Sequence, residues 1–368
     1  MIPKSYNLKN ITIASIGSHS ALDVARGAKD EGFKTLVITQ KGRGEVYSNY
    51  YKTNGEIGCV DEVIELDSFK QILDPHIQQQ LLEKNVIFVP NRSFEVYLND
   101  YDAIEKDFTV PMFGNKFLLK TEERGVKPNQ YDLLDEAKIR YPKQFSDPKK
   151  IDRLVMVKIL EQARGFERSF FTVASFKEYQ QQVEMRLERG DFTPAQLDKA
   201  VIEEFLVGVQ VNFNYFYSPV AKRLELSGTD TRRQTNLEGF SKIPGVDIDQ
   251  VIASLSVKYE EAGHMAVTVL ESLLGDAFKM GEQFVQATQK LTSPGVIGPF
   301  GLQAIILPGP PKKEIVVFDV SPRMPGSPGI AATPYAGYLF GQPMSVGRRV
   351  AKEIKQAAKE NRLDLILS

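Results

Sequence analysis

The chain has 368 residues, 42% hydrophobic and 25% charged, a length at which two or three packed units are expected rather than one small core. Lys and Arg number 46 against 47 Asp and Glu, a net charge of −1, which excludes a whole-protein field for nucleic acid or anionic membrane and leaves local basic pockets open. The one cysteine, Cys59, excludes an internal disulfide and a cysteine metal cluster. A polar N-terminus and no apolar run near the roughly 20 residues of a bilayer span make a reducing cytoplasm the expected setting.

In chain order, "ITIASIGSHSALDVARGAKDEGFKTLVITQ" reads as strand, glycine turn at Gly17, helix and strand, the βαβ unit of a parallel sheet. "VDEVIELDSF" and "NVIFVPNRSF" add strands around the helical "QILDPHIQQQLLEK". An open, doubly wound sheet is therefore predicted to about Asn115, with ligands at the C-terminal ends of its strands. "FLLKTEERGVKPNQYDLLDEAKIRYPKQF" then reads as helical, and "RLVMVKIL" and "RSFFTVA" as strands. "FKEYQQQVEMRLERG" is an amphipathic helix, and "AVIEEFLVGVQVNFNYFYS" a strand, a hinge and a half-buried strand. "KRLELSGTDTRR" continues an antiparallel pattern, and "GHMAVTVLESLLGDAFKMGEQFVQATQKL" is predicted as one long helix. A hairpin turning at Pro-Gly-Pro-Pro and the basic amphipathic helix "MSVGRRVAKEIKQAAKEN" complete the pattern.

Four constellations have the residue types for chemistry. Gly17, Ser18 and His19 stand where a parallel strand hands over to a helix, a place where free N–H groups and the helix dipole favour an anion; a tight turn capped by Ser18 or Ser20 is the plainer alternative. Neither GxGxxG nor a Walker A lysine accompanies them, which argues against dinucleotide and P-loop sites. Lys158 interrupts an apolar strand, where a buried ammonium needs an anion, unless the strand lies at an edge and the lysine faces solvent. Glu203, Glu204, Phe205 and Leu206 form a hinge that could meet an adenine edge and a ribose. Gln303 and Asp319 on facing strands, followed by Ser321 and Arg323, have the composition of a divalent-cation and phosphate site, with an Asp319–Arg323 salt bridge the alternative. Arg232 and Arg233 read as a cationic turn, and Arg348 and Arg349 as surface or subunit contacts.

Taken together, the ordered segments "IASIGSHSALDVARGAKDEGF", "KGRGEVY", "NVIFVPNRSF", "FGNKFLLKTEE", "YFYSP", "GVIGPFGLQ" and "SVGRRVAKEIK" resemble, along nearly the whole chain, the archaeal 5-formaminoimidazole-4-carboxamide ribonucleotide synthetases of the ATP-grasp superfamily. The resemblance implies an α/β fold, α+β in its C-terminal part: a doubly wound parallel-sheet domain over residues 1–115, a small ATP-grasp subdomain over 116–200 and a large one over 201–368. It implies a ligase that formylates the aminoimidazole carboxamide ribonucleotide AICAR with ATP and formate through formyl phosphate, using Mg2+ or Mn2+, in a cytoplasmic homo-oligomer. Family roles map catalysis onto Lys158 and Arg323 and the AICAR contacts onto Gly17, Ser18, His19, Ser93 and His264. The ATP contacts map onto Lys120, Lys158, Glu203, Glu204, Phe205, Leu206 and Asp230, and the metal ligands onto Gln303 and Asp319. The chain departs from the family pattern at Asn91-Arg92, usually His-Gly, and in the loop after Lys158, where Gly165 is the only glycine and Arg164 or Arg168 could replace lost N–H contacts. It departs also at His264 for an asparagine, at Asp319 for a glutamate, and at "PGSPG" for Gly-Gly-Thr-Asn. A sister ligase with another acid or acceptor, and a non-catalytic nucleotide-binding protein, stay open on these changes.

Overall fold

A computed structural model describes Pro3 and residues 6–159, 170–235, 259–309 and 311–368. The loop with Arg164, Gly165 and Arg168 lies outside the described residues. The first sheet contains β1 (Thr12–Ile16), β2 (Lys34–Gln40), β3 (Glu62–Leu66) and β4 (Val86–Phe88), all parallel in the order β3-β2-β1-β4, as the βαβ pattern requires. Helix α1 (Ala21–Asp30) follows β1 directly, while α2 (Pro75–Glu83), α3 (Arg92–Leu98) and α4 (Tyr101–Lys106) surround β4. Phe88, Phe94 and Phe108 are fully buried and in mutual ring contact there, each side chain worth roughly 1.5–3 kcal/mol of burial.

The predicted helix after Asn115 is cut short. Only α5 (Lys116–Leu119), a 3₁₀ turn and α6 (Gln130–Glu136) form, because Gly125 and Pro128 interrupt it and Asn129 opens α6 with a capping box. A small antiparallel sheet follows, from β5 (Gln144–Phe145), β6 (Val155–Lys158), β7 (Phe170–Val173) and β8 (Val201–Glu204) in the order β5-β8-β6-β7, backed by α7 (Phe176–Arg189). The large antiparallel sheet joins β9 (Val209–Ser218), β10 (Arg223–Thr235), β11 (Tyr259–Ala266), β12 (Gly298–Leu307) and β13 (Glu314–Ser321) in the order β11-β10-β9-β12-β13.

Two predicted elements change character. The sequence expected as one long helix starts as β11, and the helix runs only from Leu274 to Leu291; pairing with β10, Arg232 to His264 and Asp230 to Ala266, overrides local helical spacing. Arg232 and Arg233 lie in β10 rather than in a turn.

The C-terminal helix Val346–Lys359 crosses α1 with backbones touching. A Cβ at Gly27 would stand 2.1 Å from Arg348 N, and one at Gly347 2.1 Å from Asp23 O. Arg348 pairs with Glu31 at 2.9 Å, while buried Arg349 holds Glu225 at 2.7 Å and Glu353 at 2.8 Å. Arg349 is therefore an internal contact and not the surface residue expected, while Arg348 lies partly exposed at the crossing. The crossing fixes α1, and with it the turn that opens the candidate site.

Candidate active site

At that turn the chain needs glycine: a Cβ on Gly17 would sit 2.8 Å from the Tyr47 ring. The amides of Gly17 and Ser18 already donate to Ile38 O (2.7 Å) and Ile16 O (2.9 Å), so the expected anion cradle does not use them. Ser20 is the N-cap residue of α1 but makes no capping bond, its hydroxyl donating instead to Pro325 O. His19 adopts φ 49°, in the left-handed region, a strained state for a non-glycine residue of the kind that gathers at functional sites. Its ring packs so closely on Gly326 that a Cβ there would approach Cδ2 to 2.6 Å. Buried Asn91 ties the same corner together through Ile16 O at 3.1 Å and Ser18 O at 3.2 Å, and it bridges to Met324. Ser93 is buried in the first turn of α3. Burial, then the positive charge of Arg323, holds His19 below the usual histidine range, leaving a neutral imidazole.

Across from His19 the large sheet carries a row of polar side chains. The register aligns Asp230, Asn212, Gln303 and Asp319 on β10, β9, β12 and β13. Asp230 accepts from Asn212 at 2.9 Å and Asn214 at 2.6 Å, and Asp319 accepts from Gln303 at 2.8 Å. Opposite this face Val211, Phe213 and Tyr215 enter the core. His264 contacts Asp230 through Nδ1 at 2.5 Å and Glu261 through Nε2 at 3.1 Å. Asp230 and His264 were assigned to different substrates on resemblance, and the fold puts them in direct contact.

Burial alone would lower the His264 pKa, but the bonds to Asp230 and Glu261 outweigh it and raise it to about 9, so the ring is an imidazolium at neutral pH. A folded-state pKa above the ordinary value contributes stability that is full below about pH 6.5 and fades as pH rises through about 9. In urea titrations the stability gap between the wild type and His264→Asn is therefore expected to be largest near pH 6 and to close by about pH 9; a gap independent of pH would contradict the charge assignment.

Arg323 lies at the end of β13, 8% exposed. It pairs with Glu122 at 2.9 Å and Glu95 at 3.5 Å, not with Asp319. Arg92 shares both acids, at 3.3 Å from Glu95 and 3.4 Å from Glu122. Burial first, then Glu122, pushes the Glu95 carboxyl up to about 8.

The remaining candidates lie toward the small sheet. Lys158 is in β6, flanked by β7 and β8, so the edge-strand alternative does not hold, and its ammonium pairs with buried Glu203. Glu203 also accepts from Tyr131 Oη at 3.0 Å, Tyr131 accepts from Arg124 Nε at 3.1 Å, and Arg124 Nη2 stands 3.4 Å from Asp319 Oδ1. One contact chain thus joins the strand lysine of the small sheet to the acid of the large-sheet hairpin. Glu204 turns outward to Arg153 at 3.2 Å. The amides of Glu204 and Phe205 are used by Lys143 O and Leu154 O, whereas no partner for the Leu206 amide is found among the described residues. Phe205, Val207 and Val209 expose apolar surface along this hinge, suited to an aromatic base. Lys120 pairs with Glu105 at 2.9 Å.

Gln303 and Asp319 suit a hard divalent cation that brings ligands of its own. One carboxylate and one amide are too few for a protein-only cage, and the described residues contain no group of three or more His, Cys, Asp or Glu that could hold a metal ion, but they are enough for Mg2+ carried on phosphate oxygens. A recess of about 560 Å3, lined by Lys138, Arg140, Lys279, Lys312 and Lys313 among others, lies at the far end of the β12–β13 hairpin and contains none of these candidates.

Sequence reading missed Arg124, Tyr131, Glu95, Glu122, Asn212, Asn214 and Glu261. Only the asparagines left a signal, the alternation in "VQVNFNYFYS" that puts them on the face opposite Val211, Phe213 and Tyr215.

A family described as a domain of unknown function, DUF1297, matches residues 178–368, and a protein family of unknown function, DUF1246, matches residues 13–145. A 5-formaminoimidazole-4-carboxamide-1-(beta)-D-ribofuranosyl 5'-monophosphate synthetase of Methanothermobacter thermautotrophicus is 39% identical over 370 residues, covering 100% of this chain and 97% of the relative. The crystal structure of the IMP biosynthesis protein PurP from Thermococcus kodakaraensis superposes with TM-score 0.69 at 27% identity, covering 97% of this chain and all of that one. The biotin carboxylase domain of a Hydrogenobacter thermophilus 2-oxoglutarate carboxylase, in complex with MgADP and bicarbonate, shares the fold at TM-score 0.59 and 12% identity, over 93% of this chain and 69% of that one.

Proposed function

Because the chain belongs to the family of 5-formaminoimidazole-4-carboxamide ribonucleotide synthetases, we propose how its cleft carries out that synthesis. It is an ATP-grasp carbon–nitrogen ligase of IMP biosynthesis that formylates AICAR at the expense of ATP. In the proposed path a formate oxygen attacks the γ-phosphorus and ADP leaves. The AICAR amine then attacks the formyl carbon, inorganic phosphate departs, and the amine gives up a proton.

The observation that carries this reading is the contact chain from Lys158 to Asp319, which sets a cation of one sheet and an acid of another across a single cleft. Lys158 neutralises phosphate oxygens from the small-sheet side. Gln303 and Asp319 would hold Mg2+, which when bound would shield phosphate charge. The exposed apolar hinge at Phe205 covers the adenine, with the Leu206 amide free to meet its edge. His19, Ser93 and the His264–Asp230–Glu261 cluster orient the AICAR nucleotide, and Arg323 faces the transferring group. With little covalent chemistry left to the protein, positioning and charge neutralisation supply the rate. We propose the domain limits 1–115, 116–200 and 201–368, a homo-oligomer and a cytoplasmic location; no helix among the described residues is long and apolar enough to cross a membrane.

The test is ADP release together with formation of the formylated nucleotide on mixing the chain with ATP, Mg2+, formate and AICAR. Both products are expected in a 1:1 ratio, each requiring all substrates. Faster turnover with another acid or acceptor in place of formate or AICAR would overturn the substrate assignment, and ATP binding without turnover under any acceptor would overturn the enzymatic one.

A further inference from the structure

The guanidinium of Arg124 occupies the place where a metal's charge would be needed. Its Nη2 lies 3.4 Å from Asp319 Oδ1, while Asp319 Oδ2 is taken by Gln303 at 2.8 Å. It does not drift there by chance, for Nε donates to Tyr131 Oη at 3.1 Å and the Arg124 carbonyl accepts from Asn129 Nδ2 at 3.1 Å. Tyr131 is in turn buried and donates to Glu203, so the anchor has one orientation: its hydroxyl proton points to the carboxylate and its lone pair to Arg124. Arg124 precedes both the small and the large sheet in sequence, 195 residues from Asp319, and lies outside every helix and strand.

Resting on the reading of Gln303 and Asp319 as the cation's protein ligands, we infer that Arg124 is a built-in counter-cation that occupies Asp319 and competes with a divalent ion for it, with Tyr131 as the residue that positions it. Two like charges cannot share one carboxylate at this range without repulsion. The protein alone therefore binds a free divalent ion poorly, because the ion must first displace a guanidinium that Tyr131 already holds in place. An ion that arrives on a polyphosphate meets a smaller barrier, since the added anionic oxygens give Arg124 an alternative partner.

The experiment uses the full chain without nucleotide and measures Mn2+ affinity from the electron paramagnetic resonance signal of the free ion. Arg124→Gln is expected to bind Mn2+ about tenfold more tightly than wild type, a change equivalent to ~1.4 kcal/mol. Arg124→Lys, which keeps the positive charge, stays near wild type, and Tyr131→Phe, which removes only the anchoring hydroxyl, gains several-fold. The Tyr131 variant reports the same competition should Arg124→Gln fail to fold. Asp319→Asn abolishes binding in both the wild-type and the Arg124→Gln backgrounds. Unchanged affinity in Arg124→Gln and Tyr131→Phe, with binding still lost in Asp319→Asn, overturns the inference and leaves the metal-ligand reading standing. Binding that survives Asp319→Asn overturns both.

Discussion

Replacing Lys158 with alanine is expected to lower kcat/KM for ATP by about 10²–10³-fold, the loss typical of removing one preorganised electrostatic group from an active site. The ammonium lies in an interior strand and its partner in the absence of substrate is Glu203, so a phosphate would replace one anion by another at the same cation. Stability should change as well. Glu203 is 4% exposed, and without Lys158 it keeps, among the described residues, the Tyr131 hydroxyl alone, an incompletely paired buried carboxylate that costs about 1–3 kcal/mol. The double variant Lys158→Ala/Glu203→Gln separates the two effects: it is expected to recover most of the stability in a urea titration and none of the turnover. Unchanged ATP use by the single variant would remove Lys158 from the mechanism, and recovery of turnover in the double variant would reduce its role to balancing Glu203.

Arg323→Gln is the second substitution with a large expected effect, and it should act on folding as much as on catalysis. Its guanidinium answers Glu122, Glu95 and the Met324 carbonyl at 3.2 Å with three different nitrogens, a fork that lysine cannot copy. Removing it leaves buried Glu95 and half-buried Glu122 to share Arg92, and breaking a buried ion pair in this way costs about 3–5 kcal/mol. The Glu95 carboxyl is already pushed up to about 8 by burial and by Glu122, so losing Arg323 moves it further upward. The Glu95 share of the stability deficit therefore develops as pH rises through about 8 and vanishes below it, where the carboxyl is protonated with or without Arg323. Adding Glu95→Gln should restore part of the stability at about pH 9 while activity stays lost. Wild-type stability in Arg323→Gln at about pH 9 would mean that the acid pair does not depend on this guanidinium.

Much of the fold was legible in local pattern. The β1–α1 handover at Gly17, the parallel sheet, the polar alternation of β9 and the hairpin bearing Gln303 and Asp319 all follow from periodicity and turn residues, because these depend on neighbours a few positions apart. The segment after Asn115 and the start of β11 were misread for the converse reason. At Gly125 and Pro128 backbone chemistry interrupts an apolar spacing that looks helical, and at His264 the strand exists only because β10 lies beside it.

Charge partnership was legible nowhere. By composition Arg323 was as ready to pair with Asp319 as with any other acid, and Arg349 looked like a surface residue on a basic helix. The sequence alone established the family resemblance, the order of elements and the residue types available for handling phosphate. The tertiary structure decided that Arg323 belongs to Glu95 and Glu122, that Arg349 is buried with Glu225, and that Arg124 and Tyr131 join Lys158's partner to Asp319. The reason is physical: an ion pair gains its strength from distance and desolvation, and both are set by which segments the fold brings together, not by their separation along the chain.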